Sequence, residues 1–377
     1  MISGEYGGHA VLCVGYDDTD PNNRYWIMLN SWGAPSNRPS GLFRVSMDMD
    51  YDDYMSYGAY DYYAFYWQTL SLEYADPGKT KTLMAVGSTT PGATDWVQYG
   101  SNWLYLDVDT SSAGFTETPI YITSLGGTSD HFVTTGATSI YKESPTGFRV
   151  YVRLTSGAPI TPEYANYRKW HVQWMGINPK SLSNVGSTNP GTTDWKQYGS
   201  GGLYVDVDTS SAGFTETPIY LTSLGGTSDH FVTTGATSIY KETPTGFRVY
   251  VRLTSGAPIT PQYANYRKWH VQWMGINPRS LSNVGSTNPG TTDWKQYGSG
   301  GLYVDVDTSS AGFTETPIYL TSLGGTSDHF VTTGATSIYK ETPAGFRVYV
   351  RLTSGAPITP EYANYRKWHV RWMGIEL

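Results

Sequence analysis

The residues of this chain that could supply nucleophilic chemistry are a histidine and the lone cysteine, which lie close together near its start. His9 opens an apolar segment, Ala10 to Val14, and Cys13 lies four residues further on. The segment reads as one β-strand, in which a rise of ~3.3 Å per residue separates the two Cα atoms by ~13 Å. A thiolate–imidazole pair needs its heavy atoms within ~3 Å. We therefore expect Cys13 to be a small buried hydrophobe and not the nucleophile of His9.

A second set of motifs follows the His9 strand in a fixed order. A segment reading Tyr25-Trp26-Ile27-Met28-Leu29 leads into Asn30-Ser31-Trp32-Gly33, and a further strand reads Gly41-Leu42-Phe43-Arg44-Val45. In type and order, these motifs resemble the C-terminal half of a papain-like cysteine peptidase. The resemblance covers residues 1–78 and implies a half-barrel of β-strands.

The same resemblance assigns roles to three residues. His9 would be the general base, Asn30 would orient its ring, and Trp32 would shield their hydrogen bond from water. The half-domain that carries the nucleophilic cysteine and the oxyanion hole in this family has no counterpart here, so we expect a relic or an incomplete site. The chain has no signal-peptide pattern and is expected to be N-terminally truncated. Supplying a missing N-terminal peptidase half would restore activity.

Three nearly identical repeats account for most of the chain. Val86-Gly87-Ser88-Thr89 recurs at Val185 and at Val284, which gives a period of 99 residues. A repeat of this length suits an independent β-sandwich domain. The expected organisation is a peptidase fragment at 1–78 and repeats at 86–177, 185–276 and 284–377.

Alternating apolar and polar residues within each repeat indicate β-strands. In the second repeat, residues 203–208, 246–253 and 269–274 alternate with a period of two, and glycine or proline separates such stretches. We expect five or six antiparallel strands per repeat, one buried face, and a core of two tryptophans, a phenylalanine and several valines. The predicted fold class is all-β: a papain-like half-barrel remnant followed by three tandem antiparallel β-sandwich repeats, without a helical period.

The polar face of two strands in each repeat carries residues that could bind a ligand. Arginine, tyrosine and histidine stack on sugars and other polar ligands and form hydrogen bonds with them; the alternative is that these side chains merely face water. The candidates are Arg149, Tyr151, Arg153 and His171, then Arg248, Tyr250, Arg252 and His270, and finally Arg347, Tyr349, Arg351 and His369.

Acidic residues suggest a weaker metal hypothesis. Each repeat has an Asp-x-Asp sequence, which places two carboxylates ~6.6 Å apart on one strand face and could supply part of a calcium site. A solvated strand face is the alternative, and no other cofactor is expected. Each repeat also has an Asp-His pair, too few ligands for a metal alone. The Asp-x-Asp residues are Asp107, Asp109, Asp206, Asp208, Asp305 and Asp307.

A core pattern of the repeats resembles H-type lectin domains. In the second repeat it comprises Phe214, Pro218 and Ser223, then Gly246-Phe247-Arg248-Val249-Tyr250-Val251, then Trp269-His270-Val271-Gln272-Trp273. The resemblance implies antiparallel sandwiches that trimerise and bind sugars between protomers. Three tandem copies could then fold as a pseudo-trimer within one chain.

The composition of the chain limits the classes of partner that it could bind. The net charge is −7 without a basic stripe, which argues against nucleic acid, and the longest apolar runs are too short for a transmembrane helix. Few charges and 32 tyrosines are typical of an extended β protein with a hydroxyl-rich surface. We expect an extracellular or cell-surface protein.

Three functions remain open from the sequence. The first is non-catalytic attachment of a secreted papain-like peptidase to a polysaccharide or a cell envelope, with avidity from three modules. The second is self-assembly with like subunits into a surface layer or filament. The third is peptidase activity completed by a missing N-terminal half.

Overall fold

The computed structural model describes residues 11–31, 33–34, 38, 40–51, 54–57, 60–63, 83–180, 182–278 and 282–376. The chain divides into two compact units, Met1–Tyr74 and Ala75–Leu377. The described elements are almost entirely β, as the alternating patterns predicted. Within these residues, no helix has the length and apolar character needed to cross a membrane.

The N-terminal unit contains a three-stranded antiparallel sheet in the order β1-β2-β3, and a two-stranded sheet formed by β4 and β5. Aromatic and β-branched residues favour extended backbone in β1 to β3. A tight turn joins β1 to β2, in which the Asn23 N–H donates to the Asp20 carbonyl at 3.0 Å. The strands are β1 Val11–Asp17, β2 Tyr25–Asn30, β3 Leu42–Ser46, β4 Tyr54–Tyr57 and β5 Tyr60–Tyr63.

Each repeat folds into eight strands and one short α-helix. In the first repeat these are β6 Met84–Ser88, β7 Val97–Tyr99, β8 Trp103–Asp109, β9 Ile120–Gly126, β10 Thr134–Thr135, β11 Ser139–Ser144, β12 Gly147–Leu154, α1 Pro162–Tyr167 and β13 His171–Ile177. In the second they are β14 Val185–Ser187, β15 Lys196–Tyr198, β16 Gly202–Asp208, β17 Ile219–Gly225, β18 Thr233–Thr234, β19 Ser238–Thr243, β20 Gly246–Leu253, α2 Pro261–Tyr266 and β21 His270–Ile276. In the third they are β22 Val284–Ser286, β23 Lys295–Tyr297, β24 Gly301–Asp307, β25 Ile318–Gly324, β26 Thr332–Thr333, β27 Ser337–Thr342, β28 Gly345–Leu352, α3 Pro360–Tyr365 and β29 His369–Ile375.

The expectation of five or six strands without a helix is therefore wrong in two respects. Strands of two or three residues, such as β7 and β10, are too short to show alternation. The six-residue helix α1 is likewise too short to show a helical period. Its start does have a local signal: the Thr161 hydroxyl accepts a hydrogen bond from the Tyr164 N–H at 3.2 Å, and Pro162 occupies the first turn.

The three repeats form a closed ring. Within the first repeat, β6, β9 and β13 form an inner sheet, and β7, β8, β10, β11 and β12 form an outer sheet. The outer sheet of each repeat continues into the inner sheet of the next through a parallel pair: β11 with β17, β19 with β25, and β27 with β9. The intrachain pseudo-trimer is therefore confirmed. The expectation of independent sandwiches is wrong, because neighbouring repeats share sheets.

Two kinds of core stabilise this ring. Each repeat has its own core between inner and outer sheets. In the second repeat, this core contains Phe247 and several valines, as predicted, but three tryptophans, Trp195, Trp269 and Trp273, instead of two. A fourth, central core collects side chains from all three repeats, including Ile122, Leu221 and Leu320. Strands β9 and β13 of the inner sheet are consequently buried on both faces, which corrects the expectation of one buried face for them.

Candidate functional site

Of the three residues implied by the peptidase resemblance, only Asn30 lies within the described residues; His9 and Trp32 lie outside them. Asn30 ends β2 opposite Val11 of β1. Its backbone N–H donates to the Gly41 carbonyl at 2.9 Å, and its Nδ2 donates to the Gly33 carbonyl at 2.8 Å. Asn30 is therefore anchored at the end of β2, while its role in orienting the His9 ring stays a prediction.

Cys13 is exposed, so the prediction that it is buried is wrong. Its Sγ–H donates to the Gly15 carbonyl at 3.4 Å, and the register of β1 shifts between these two residues. Neighbouring apolar side chains of β1 are exposed as well: Leu12 by 61% and Tyr16 by 63%. The apolar sequence of β1 therefore does not imply a covered strand, because burial requires a packing layer on the same face.

The Asp-x-Asp carboxylates have partners within each repeat. Asp107 accepts two hydrogen bonds of 2.6 Å from the Arg149 guanidinium, which lowers the pKa of this carboxyl, and Asp109 accepts one from the Ser111 N–H at 2.8 Å. Among the described residues, no group of three or more His, Cys, Asp or Glu side chains is placed to hold a metal ion. These contacts argue against the calcium hypothesis. The same contacts recur at Asp206, Asp208, Asp305 and Asp307.

The predicted outer strand face is present, but its arginine side chains differ in their contacts and in their exposure to solvent. The guanidinium of Arg149 is held by Asp107 and lies over the Tyr105 ring, 3.9 Å from its centroid. Its equivalents Arg248 and Arg347 are held by Asp206 and Asp305. In contrast, Arg252 and Arg351 are exposed and Arg153 is partly buried. The second arginine of each strand is therefore the better candidate for contact with a ligand.

The predicted exposure of His171, His270 and His369 is wrong, because these side chains are buried. They lie on the strand face that the other repeats cover. The Nε2 atom of His171 is 3.7 Å from a Glu341 carboxylate oxygen of the third repeat, and His270 has the same relation to Glu143. These histidines therefore belong to contacts between repeats.

The third repeat differs from the other two at one residue of this buried strand face. Arg371 occupies the position of Gln173 and Gln272, and its buried guanidinium pairs with Glu242 of the second repeat. Burial, assisted by the positive charge of Arg371, lowers the pKa of His369 to about 4. One of the three boundaries between repeats is thus held by an arginine–glutamate pair.

The repeated Asp-His pairs hold structural positions. Asp130 pairs with Arg168 and accepts a hydrogen bond from the Tyr164 hydroxyl at 3.2 Å. His131 is fully buried at a boundary, where its Nε2 lies 2.8 Å from the carbonyl of Ile338 in the third repeat. The two residues therefore orient a 3₁₀ turn at His131–Val133 and fasten it to another repeat.

Aromatic residues from two repeats meet on the outer face at each boundary. Between the second and third repeats, the Phe330 ring centroid is 5.3 Å from that of Tyr250 and 5.7 Å from that of Tyr198. Tyr198, Gly202 and Arg252 are cross-strand neighbours on three consecutive strands, β15, β16 and β20. We call these three residues a boundary row.

The other two boundaries have equivalent rows. Tyr297, Gly301 and Arg351 form the row between the third and first repeats, beside Tyr349 and Phe132. The row between the first and second repeats consists of Tyr99, Trp103 and Arg153, beside Tyr151 and Phe231. The alternation of the strands indicated the arginines and Tyr151, Tyr250 and Tyr349, but not the residues contributed by the next repeat. No local pattern connects Phe330 with Tyr250.

A boundary row can recognise a ligand that has both apolar and hydroxyl groups. Exposed tyrosine rings offer flat apolar faces, and an arginine beside them donates several hydrogen bonds. A cavity where the three segments Thr134–Ser139, Thr233–Ser238 and Thr332–Ser337 meet is a weaker candidate. Its volume of about 50 Å³ is sufficient for water but not for an organic ligand.

Comparison with known proteins gives one family match. The family model of papain family cysteine proteases matches residues 2–60, a segment that includes His9, Asn30 and Trp32. No match was found among curated proteins or among solved structures. The resemblance of the repeats to H-type lectin domains is not supported. Residues 2–60 of this chain are thus similar to the papain family of cysteine proteases.

Proposed function

We propose that the repeats are non-catalytic attachment modules that bind a polysaccharide or a cell envelope on behalf of an extracellular, papain-related protein. The observation that carries this proposal is the boundary row, where an exposed tyrosine and an exposed arginine lie on the two strands that flank a central strand. Tyr198 and Tyr297 are 44% and 45% exposed although both are large aromatic residues. Sugar rings combine apolar faces with hydroxyl groups and suit this chemistry.

The fold favours such a role because the rows lie on paired strands of the closed ring. The tyrosine ring is held at its edge by other aromatic residues: Tyr198 packs against Tyr250 with centroids 4.6 Å apart. Little side-chain freedom is therefore lost when a ligand binds, which favours affinity. Several rows on one molecule increase retention on a repetitive polymer by ~10²–10⁴ through effective concentration.

A pull-down with insoluble polymers tests the proposal. The full chain is expected to be retained on at least one of chitin, cellulose, starch granules or peptidoglycan. A variant combining Tyr198→Ala, Arg252→Ala, Tyr297→Ala and Arg351→Ala should lose retention. The matched control combines Tyr266→Ala and Tyr365→Ala, which remove tyrosines that are 84% and 83% exposed on α2 and α3. Absence of retention on all four polymers would reject attachment to these glycans.

Association with like subunits is the alternative to attachment, and it requires a separate measurement. Light scattering of the full chain at increasing concentration would detect polymers, which would favour a structural surface layer or filament instead. A constant monomer mass together with retention on a polymer would support attachment. To test the extracellular localisation, the native source would be fractionated into medium, cell surface and cell interior, and the protein would be detected in each fraction.

A second candidate function concerns the N-terminal unit. The papain-family match and the exposure of Leu12 and Tyr16 favour a surface that a separately supplied N-terminal peptidase half would cover. In that case, a thiol-directed inhibitor should label either this protein or a chain that copurifies with it from its native source. A native preparation in which the inhibitor labels neither would reject peptidase activity.

A further inference from the structure

The three boundary rows differ at their central position. The first repeat has Asn102-Trp103 where the second has Gly201-Gly202 and the third has Gly300-Gly301. The flanking positions keep their residue types: Tyr99, Tyr198 and Tyr297 on one side, and Arg153, Arg252 and Arg351 on the other. One row therefore has an indole at its centre, and the other two have no side chain there.

The indole of Trp103 covers the boundary between the first and second repeats. Its ring centroid is 5.0 Å from that of Phe231, and the Arg153 guanidinium lies 5.9 Å from the indole centroid. Phe231 is accordingly buried, with an exposure of 6%. The aromatic surface contributed by the second repeat is thus withdrawn from solvent at this row.

The equivalent surface is more open at the other two boundaries. Phe330 and Phe132 are only partly buried, and the flanking arginines Arg252 and Arg351 are exposed. In each of these rows the tyrosine and the arginine lie on strands two apart, which separates the strands by ~9.6 Å. With glycine at the centre, no side chain stands between the tyrosine and the arginine, and we call this gap a notch.

We propose that the chain has two open saccharide sites, at the rows centred on Gly202 and Gly301, and that Trp103 closes the third. This inference rests on the proposed attachment function and sets its valency. Each open notch would take one sugar ring of a chain, with the ring face on Tyr198 or Tyr297 and hydroxyl groups against Arg252 or Arg351. A single chain would thus hold a polymer at two points instead of three.

Isothermal titration calorimetry of the full chain with chitohexaose, cellohexaose and maltohexaose measures this valency. For whichever oligosaccharide binds, two sites per chain are expected. The variant Trp103→Gly should raise the number to three. The pair Gly201→Asn with Gly202→Trp reproduces the first repeat and should lower it to one; adding Gly300→Asn with Gly301→Trp should abolish binding.

The controls separate this inference from the proposed function. A Cβ added at Gly202 would lie 3.3 Å from the Val251 carbonyl oxygen, a tight contact that requires the backbone to shift by a few tenths of an ångström, so circular dichroism must verify folding of these variants. Retention on a polymer combined with one or three sites in the unmodified chain, or with a number that Trp103→Gly does not change, would overturn the inference alone. Failure of all three oligosaccharides and all four polymers would instead reject glycan attachment.

Discussion

The imidazole of His131 in the first repeat stacks on the phenol ring of Tyr339 in the third, with centroids 3.8 Å apart and an interplanar angle of 16°. The histidine Nε2–H donates to the Ile338 carbonyl at 2.8 Å, and the Tyr339 hydroxyl accepts a hydrogen bond from the Phe132 N–H at 2.9 Å. The same contact recurs between His230 and Tyr141 and between His329 and Tyr240. The ring is thus fastened by three equivalent histidines.

These histidines make the stability of the ring sensitive to acid. Burial lowers the pKa of His131, His230 and His329 to about 3, below the unfolded value of 6.5. Above pH 6.5 neither state carries the charge, so the contribution is complete. As the pH falls from 6.5 towards 3, only the unfolded state binds the protons, and each histidine costs about 1.4 kcal/mol of unfolding free energy per pH unit.

Urea denaturation between pH 8 and pH 4.5 should therefore show constant stability above pH 7 and a steep loss below 6.5. Replacing all three histidines by phenylalanine should flatten this part of the curve, although it lowers stability at neutral pH. An unchanged slope in the triple variant would assign the acid sensitivity to other groups.

Removing one of these side chains should weaken the whole ring. The variant His131→Ala loses the stack on Tyr339 and leaves the Ile338 carbonyl without its donor, which should cost about 2–4 kcal/mol of unfolding free energy. Chemical denaturation measures this cost. The control Tyr167→Ala removes a side chain that is 82% exposed and should change stability by less than about 0.5 kcal/mol. An equal effect of both variants would show that His131 makes no net contribution.

The positive charge of Arg371 should be detectable at His369. Burial is the larger cause of the lowered pKa of His369, and Arg371 lowers it further. The variant Arg371→Gln, which gives the third repeat the glutamine of the other two, should raise this pKa above its value of about 4. Nuclear magnetic resonance titration of the histidine ring protons measures the change. A downward shift would contradict the assigned role of Arg371.

A single repeat should assemble into a trimer. Residues 185–276 alone would expose the central apolar face that includes Leu221 and Met274, and would offer the same parallel edge pairs to identical copies. Size-exclusion chromatography with light scattering should give three times the monomer mass. The variant Leu221→Asp should remain monomeric or unfolded, because it places a charge in the central core. A folded monomer without this substitution would contradict the shared-core description.

Much of this protein followed from local patterns in its sequence. The period between Val86, Val185 and Val284 established three equivalent units, and the alternation in β20 correctly separated Phe247, Val249 and Val251 from the outward Arg248 and Tyr250. The order of His9, Asn30 and Trp32 was sufficient to indicate the papain family, which the family match at residues 2–60 supports. These features depend on neighbouring residues along the chain.

The tertiary structure decided which repeat each surface contacts. In an alternating strand, the polar face of β13 or β21 reads as solvent-exposed, and only docking of the other repeats buries His171 and His270. Nearly identical repeats also give no local signal that β11 pairs with β17 of the next copy. The difference between Trp103 and Gly202 was visible in the sequence, but its effect on ligand access was not. Phe231 and Phe330, which lie beside these two rows, each belong to the next repeat along the chain. Burial and ligand access depend on contacts between residues that are distant along the chain, and these arise only when the ring closes.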